Sequence, residues 1–105
     1  MKITEYIVDK ENWGKTFLFV VNETVLPTIR ADLFDRLLTY GMKVSYHSIK
    51  KIQMDDIGTT IIFARDNFIS DMRGYYPDKV FLHRNACDEL IKRNFSSDRI
   101  IIFNY

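Results

Sequence analysis

The sequence has one cysteine, two prolines and four glycines in 105 residues, and almost no excess of either charge. A lone thiol, Cys87, offers no disulfide within the chain and no thiolate metal cluster, which is the cysteine usage of a reducing compartment. Fifteen Lys plus Arg stand against fourteen Asp plus Glu. The resulting net charge of +1 gives no global field to draw the chain to nucleic acid, an anionic membrane or an acidic substrate, so a nucleic-acid role would need a local basic patch. Long apolar runs are missing as well. TFLFVV and RIIIF fall far short of the roughly 20 residues that span a bilayer, and MKITEYIVDKENW lacks the apolar stretch of a signal peptide. The expectation is a cytoplasmic protein with no membrane partner.

Apolar residues make up 47% and charged residues 28%, the mixture of a soluble globular domain rather than a disordered chain. The length suits one hydrophobic core, and no repeat, low-complexity segment or interior linker divides residues 1–105. Aromatic residues are abundant, with eight Phe, six Tyr and one Trp, and Ile, Lys and Asn are frequent. An AT-rich genome, such as that of many phages and mobile elements, imposes this bias.

Along the chain, strand and helix signals alternate. TFLFVV (16–21) is an unbroken run suited to a strand buried on both faces. In ETVLPTIRADLFDRLLTYG, Leu26, Ile29, Leu33, Leu37 and Leu38 recur at helical steps, with Pro27 in the first turn and Gly41 after the last. MKVSYHSI (42–49) alternates as a strand with Val44 and Tyr46 inward and His47 on the solvent face. KKIQMDDIG reads as a polar link, TTIIFA (59–64) as a buried strand, and DNFISDMRG as a short helix or turn with Phe68, Ile69 and Met72 on one side. DKVFL is a fourth strand, Asn85 caps a helix over 86–94 whose inner face holds Cys87, Leu90 and Ile91, and RIIIF closes the chain as a last strand. The first dozen residues fit either a strand or a short helix. The pattern predicts a single α/β three-layer domain, a mostly parallel sheet of about five strands flanked by helices. The loops after residues 21, 64 and 82 would then meet at one edge of the sheet, where open α/β folds bind ligands.

Motifs for chemistry are scarce. NWGKT (12–16) holds the Gly-Lys-Thr of a phosphate-binding loop, but Asp9 stands where the loop's first glycine belongs and Thr16 opens a strand instead of a helix. His47 and His83 have no metal-ligand partner at a useful spacing; Asp55, Asp56 or Asp66 would have to be brought to both to make a site, and no metal is expected. His83 reads as a hydrogen-bonding residue that ends its strand. Cys87 lies four residues beyond it and reads as a small buried hydrophobe rather than a nucleophile. The aspartates at 55, 56, 66, 71 and 78 fall in turns, where the side chain bonds local backbone. No pair is placed to work as general acid and base, and no serine occupies a nucleophile turn. No catalytic residue and no cofactor are expected.

Basic residues with aromatic neighbours do recur near the expected edge. Arg65 follows Phe63, Arg73 precedes Tyr75 and Tyr76, and His83 and Arg84 follow Phe81, with Asn67 in the intervening turn. Arginine and tyrosine anchor protein interfaces, so another protein or a second copy is the first expected partner. The same groups can hold phosphates and stack on bases, which makes a nucleic-acid or nucleotide-binding module the alternative. A solvated rim beside a core strand accounts for these residues without a function, and an enzyme of unspecified kind is a third reading.

Over residues 16–85 the chain resembles the ATPase domain of phage terminase large subunits and related helicase-like ATPases. The resemblance is carried by Ile62, Phe63, Asn67, Arg73, Gly74, Pro77, Asp78 and the strand Val80 to Leu82. It implies a P-loop-type α/β core in an ATPase-dead accessory factor of a phage or mobile element. The family's phosphate-binding loop is missing, and its metal-binding Asp and catalytic Glu fall on His83 and Arg84, which can neither hold magnesium nor activate water.

Overall fold

In a computed structural model, which describes residues 2–104, the chain runs through α1 (Ile3–Val8), β1 (Thr16–Val21), α2 (Leu26–Thr39), β2 (Tyr46–His47), β3 (Lys51–Met54), β4 (Thr59–Arg65), β5 (Lys79–His83), α3 (Glu89–Asn94) and β6 (Ile100–Phe103). The six strands form one sheet in the order β2-β3-β4-β1-β5-β6. The unbroken run TFLFVV becomes β1, paired in parallel with β4 on one side and β5 on the other. Every residue from Phe17 to Val21 is buried. A strand paired on both edges and packed on both faces has no place for polar side chains, so its sequence does not alternate.

The expected three-layer domain with a mostly parallel sheet of about five strands is corrected to a six-stranded mixed sheet. β6 extends the parallel part beyond β5, whereas β2 pairs antiparallel with β3 and β3 antiparallel with β4. The cause lies in KKIQM. What reads as a polar link is a strand in which Ile52 and Met54 are buried between half-buried Lys51 and Gln53. Four residues of alternation are too few to stand out by periodicity. Because only residues 48–50 separate β2 from β3, the two can pair only as a hairpin, closed by the Ser48 N–H donating to the Lys51 C=O (2.8 Å). The strand expected over 42–49 shrinks to Tyr46–His47, and Tyr46 points out, not in.

Alternate residues of β1 feed two hydrophobic clusters, as the two-residue period of a strand requires. Phe17, Phe19 and Val21 join Ile7 of α1, the stripe Leu26, Ile29, Leu33 and Leu37 of α2, and Phe81 and Phe103. Leu18 and Val20 join Met72, Leu82 and Ile91. Leu38, expected in the helical stripe, is half exposed. The first cluster is built around Phe81, whose ring stacks on Phe19 at 4.9 Å between centroids and meets Tyr6, Phe17 and Phe103 at 5.8–6.3 Å. Aromatic pairs at these distances add to the area they bury. The ambiguous N-terminal segment is a helix because Tyr6 and Ile7 cover these rings.

The last helix is shorter than expected and lacks its cap. It begins at Glu89, and Asp88, not Asn85, precedes it without a capping side-chain bond. The amides ahead of it already have other partners. Ala86 N–H donates to the His83 C=O, and Cys87 N–H donates to the Asp66 carboxylate. Cys87 is consequently exposed in a turn instead of buried on a helix face. Among the described residues no helix is long and apolar enough to cross a membrane.

Truncating the ring at the centre of the first cluster tests this packing. Phe81→Ala is expected to lower stability by about 3–5 kcal/mol, measured as a fall in the urea midpoint with an unchanged m-value.

Candidate functional site

Residues 66–78 carry the chain from β4 past β1 to β5. Parallel crossovers usually contain a helix. Here there is only a single short turn of 3-10 helix at Ile69–Asp71. A connection without a helix must find partners for its backbone elsewhere, because buried N–H groups left unpaired are expensive.

Backbone carbonyls supply them, Val21 C=O for the Asp66 N–H and Thr16 C=O for the Asp78 N–H, and three aspartate side chains tie the connection to the elements around it. At the carboxyl end of β4, alternate amides point toward β3, and Phe63 N–H finds the Lys50 C=O. Arg65 N–H lies beyond the end of β3, and Asp71 Oδ2 accepts from it at 3.0 Å. Asp66 Oδ2 accepts from Cys87 N–H at 2.7 Å, tying the start of the crossover to the turn after β5. At the amino end, Asp78 Oδ2 accepts from Thr16 N–H while Asp78 N–H donates to the Thr16 C=O, both at 2.8 Å. The expectation that these aspartates serve their local turns is thus too narrow: Asp66 and Asp78 bond backbone far away in sequence.

Arg65 is held by the same device. Its Nε and Nη2 donate to the two oxygens of Asp71 at 2.8 and 3.0 Å, its guanidinium lies 3.6 Å from the Phe68 ring centroid, and Glu23 stands 3.5 Å from Nη1. The Asp71 side chain is 4% exposed. Hydrogen bonds from Arg65, foremost, hold the Asp71 carboxyl below the usual carboxylate range, against the opposing effect of burial, and Lys50 at 3.8 Å adds to this. The same pairing raises the affinity of Arg65 for its proton. A fork-to-fork pair with a ring beneath it is a structural clamp. The guanidinium is occupied by the protein itself.

The expected site residues therefore fall in three places. Arg65 and exposed Asn67 stand at the carboxyl end of β4, with Arg65 also bordering a groove against Leu26 and Pro27 of α2. His83 and Arg84 end β5 on the same edge of the sheet but across β1. Arg84 is exposed, and its N–H continues the ladder to the Phe103 C=O. His83 ends β5, but its ring is packed into the protein instead of turned to solvent. It is 6% exposed, packs against Phe103 at 5.3 Å between ring centroids, and its Nδ1 has no hydrogen-bond partner among the described residues. His47, on a different strand, receives a guanidinium contact from Arg30 at 2.9 Å and packs on Phe34.

Arg73, Tyr75 and Tyr76 lie toward the opposite, amino edge of β5, where they line one groove of about 340 Å³ with Ile69, Met72 and Pro77. The far wall is Asn94, Phe95 and Arg99, from the end of α3 and the approach to β6. Among the described residues the charged groups lining the groove are both arginines, and no carboxylate lines it. Arg73 enters no ion pair among the described residues, and Arg99 makes only a long 3.5 Å contact to the Pro77 C=O. Tyr76 is 90% exposed. Sequence reasoning found one wall of this groove and missed the other, because Phe95 and Arg99 join it only through the pairing of β6 with β5.

Comparison of the chain with protein-family models, with curated proteins and with solved structures gave no match, which leaves the resemblance to terminase ATPase domains resting on the residues that carry it.

The clamp can be tested against an exposed pair. Asp71→Asn is expected to lower the urea midpoint distinctly at pH 7, whereas Asp32→Asn, which breaks only the exposed Arg36 pair on α2, should leave it almost unchanged. The folded-state pKa of Asp71 lies below its unfolded value near 3.8. Its contribution is therefore present above that pH and is lost as pH falls through the folded pKa. The gap between wild type and Asp71→Asn should narrow only in that acid range.

Proposed function

We propose that the protein is a non-enzymatic binding module that engages another protein through the groove formed by Arg73, Tyr75, Tyr76, Phe95 and Arg99. The exposure of Tyr76 carries this reading. A tyrosine held 90% in solvent on a crossover tied at both ends leaves a large aromatic surface uncovered beside two arginines. Tyrosine and arginine concentrate binding energy when a partner desolvates them. The apolar lining of Ile69, Met72 and Phe95 suits the hydrophobic part of such an interface, and the two arginines suit its polar part. A scaffold held in place loses less freedom on association than a mobile loop does.

The same local charge supports a second reading, single-stranded nucleic acid with bases on the tyrosines and phosphates on the arginines. Of the three arginines expected to share that work, Arg65 is engaged by Asp71 and Arg84 lies at the far edge of the sheet. Only Arg73 remains in the groove, now beside Arg99. The protein-binding reading asks less of the charge and more of the aromatic surface, and is preferred for that reason.

The double variant Arg73→Ala/Tyr76→Ala separates the two readings. A protein partner captured by wild type is expected to bind the variant roughly tenfold more weakly or worse, with an unchanged circular dichroism spectrum. Equal capture by both proteins would remove the groove from the interface. Binding of wild type alone to single-stranded oligonucleotides, weakening steeply with salt, would establish the second reading instead.

A further inference from the structure

The two edges of the sheet are treated differently. β2 forms one edge, is two residues long and is surrounded by Lys43, Lys50 and Lys51. Shortness and lysine are the usual protection of an edge against pairing with another chain. β6 forms the other edge and has neither. Its sequence is IIIF, and residues 100–104 contain no charge.

The direction of its main-chain groups follows from one bond. The Phe103 C=O accepts from Arg84 N–H at 2.9 Å, so Phe103 faces β5. By the two-residue period of a strand Ile101 faces β5 too, and the N–H and C=O groups of Ile102 and Asn104 and the C=O of Ile100 point away from the sheet, while the Ile100 N–H turns back to the Ser97 C=O. The Ile102 side chain is 60% exposed. An apolar strand thus offers a row of main-chain donors and acceptors with a large uncovered aliphatic group at its centre.

We propose that this edge pairs with the β6 edge of a second copy, antiparallel about a two-fold axis at Ile102. The pattern is self-complementary. In that register Ile102 faces the other copy's Ile102 and Ile100 faces its Asn104, so the Ile102 pair exchanges two hydrogen bonds and each Ile100 C=O accepts from the other copy's Asn104 N–H. The opposed isoleucines cover one another on a shared face of the sheet. The paired residues 100–104 carry no charge, so no like charges of the two strands are opposed. A two-fold contact of this kind is closed, which prevents extension into fibres, and the lysine-flanked β2 edge keeps the opposite side of the sheet out of such pairing.

Light scattering coupled to size exclusion, at high micromolar protein, tests this. Wild type is expected at twice the 12.5 kDa chain mass, and Ile102→Lys at the chain mass with an unchanged circular dichroism spectrum. Asn104→Pro is the second variant, since it removes an outward N–H that has no partner among the described residues; it should weaken the dimer at least tenfold on dilution. Wild type eluting at the chain mass, or folded variants that both stay dimeric, would overturn the proposal.

Discussion

A parallel connection from β4 to β5 that contains no α-helix has to be held to its neighbours by other means, and three of its aspartates do so by accepting from main-chain amides around it. Asp66, Asp71 and Asp78 each accept from a backbone N–H, at Cys87, Arg65 and Thr16. The effect is to fasten residues 66–78 to the turn after β5, to the end of β4 and to the start of β1. The second cluster can then close beneath the crossover through Met72. Carboxylate-to-amide bonds of this kind are charge-assisted, which makes them stronger than neutral ones.

The groove depends on this fastening. Arg73, Tyr75 and Tyr76 lie between the clamp at Asp71 and the latch at Asp78, so their backbone is fixed on either side while their side chains stay in solvent. The arrangement also divides labour between similar residues. Arg65, partly buried against Phe68, is spent on the fold, and Arg73, eight residues on in the chain, lines the groove without an ion pair among the described residues. The basic and aromatic residues that share a stretch of sequence thus end up in different roles because β4 and β5 carry them to opposite ends of the sheet.

Much of the architecture was legible where periodicity was strong. The apolar runs of β1, β4, β5 and β6 and the α2 stripe stand out because burial on two faces or on one helical face leaves a long pattern. The β2–β3 hairpin was not legible, since four alternating residues flanked by lysines look like a link. Half of the groove could be read in RGYY, as neighbouring residues with binding chemistry. Phe95 and Arg99 could not, because only the β5–β6 pairing brings them there. The role of Arg65 was hidden for a related reason: Asp71 is near in sequence, but nothing in DNFISD says that its carboxylate will cap an amide beyond the end of β3. His83 looked like a polar strand end, and Phe103, distant in sequence, made it part of a core instead.

Amide hydrogen exchange followed by NMR at neutral pH tests the central claim most directly. The Thr16, Arg65 and Cys87 amides, which lie at strand ends or in a turn, are predicted to exchange far more slowly than an exposed turn amide such as that of Asn67, and Asp78→Ala is predicted to release Thr16 while Arg65 stays protected. If the three amides exchange as fast as Asn67, the crossover is not held by its aspartates and the account fails.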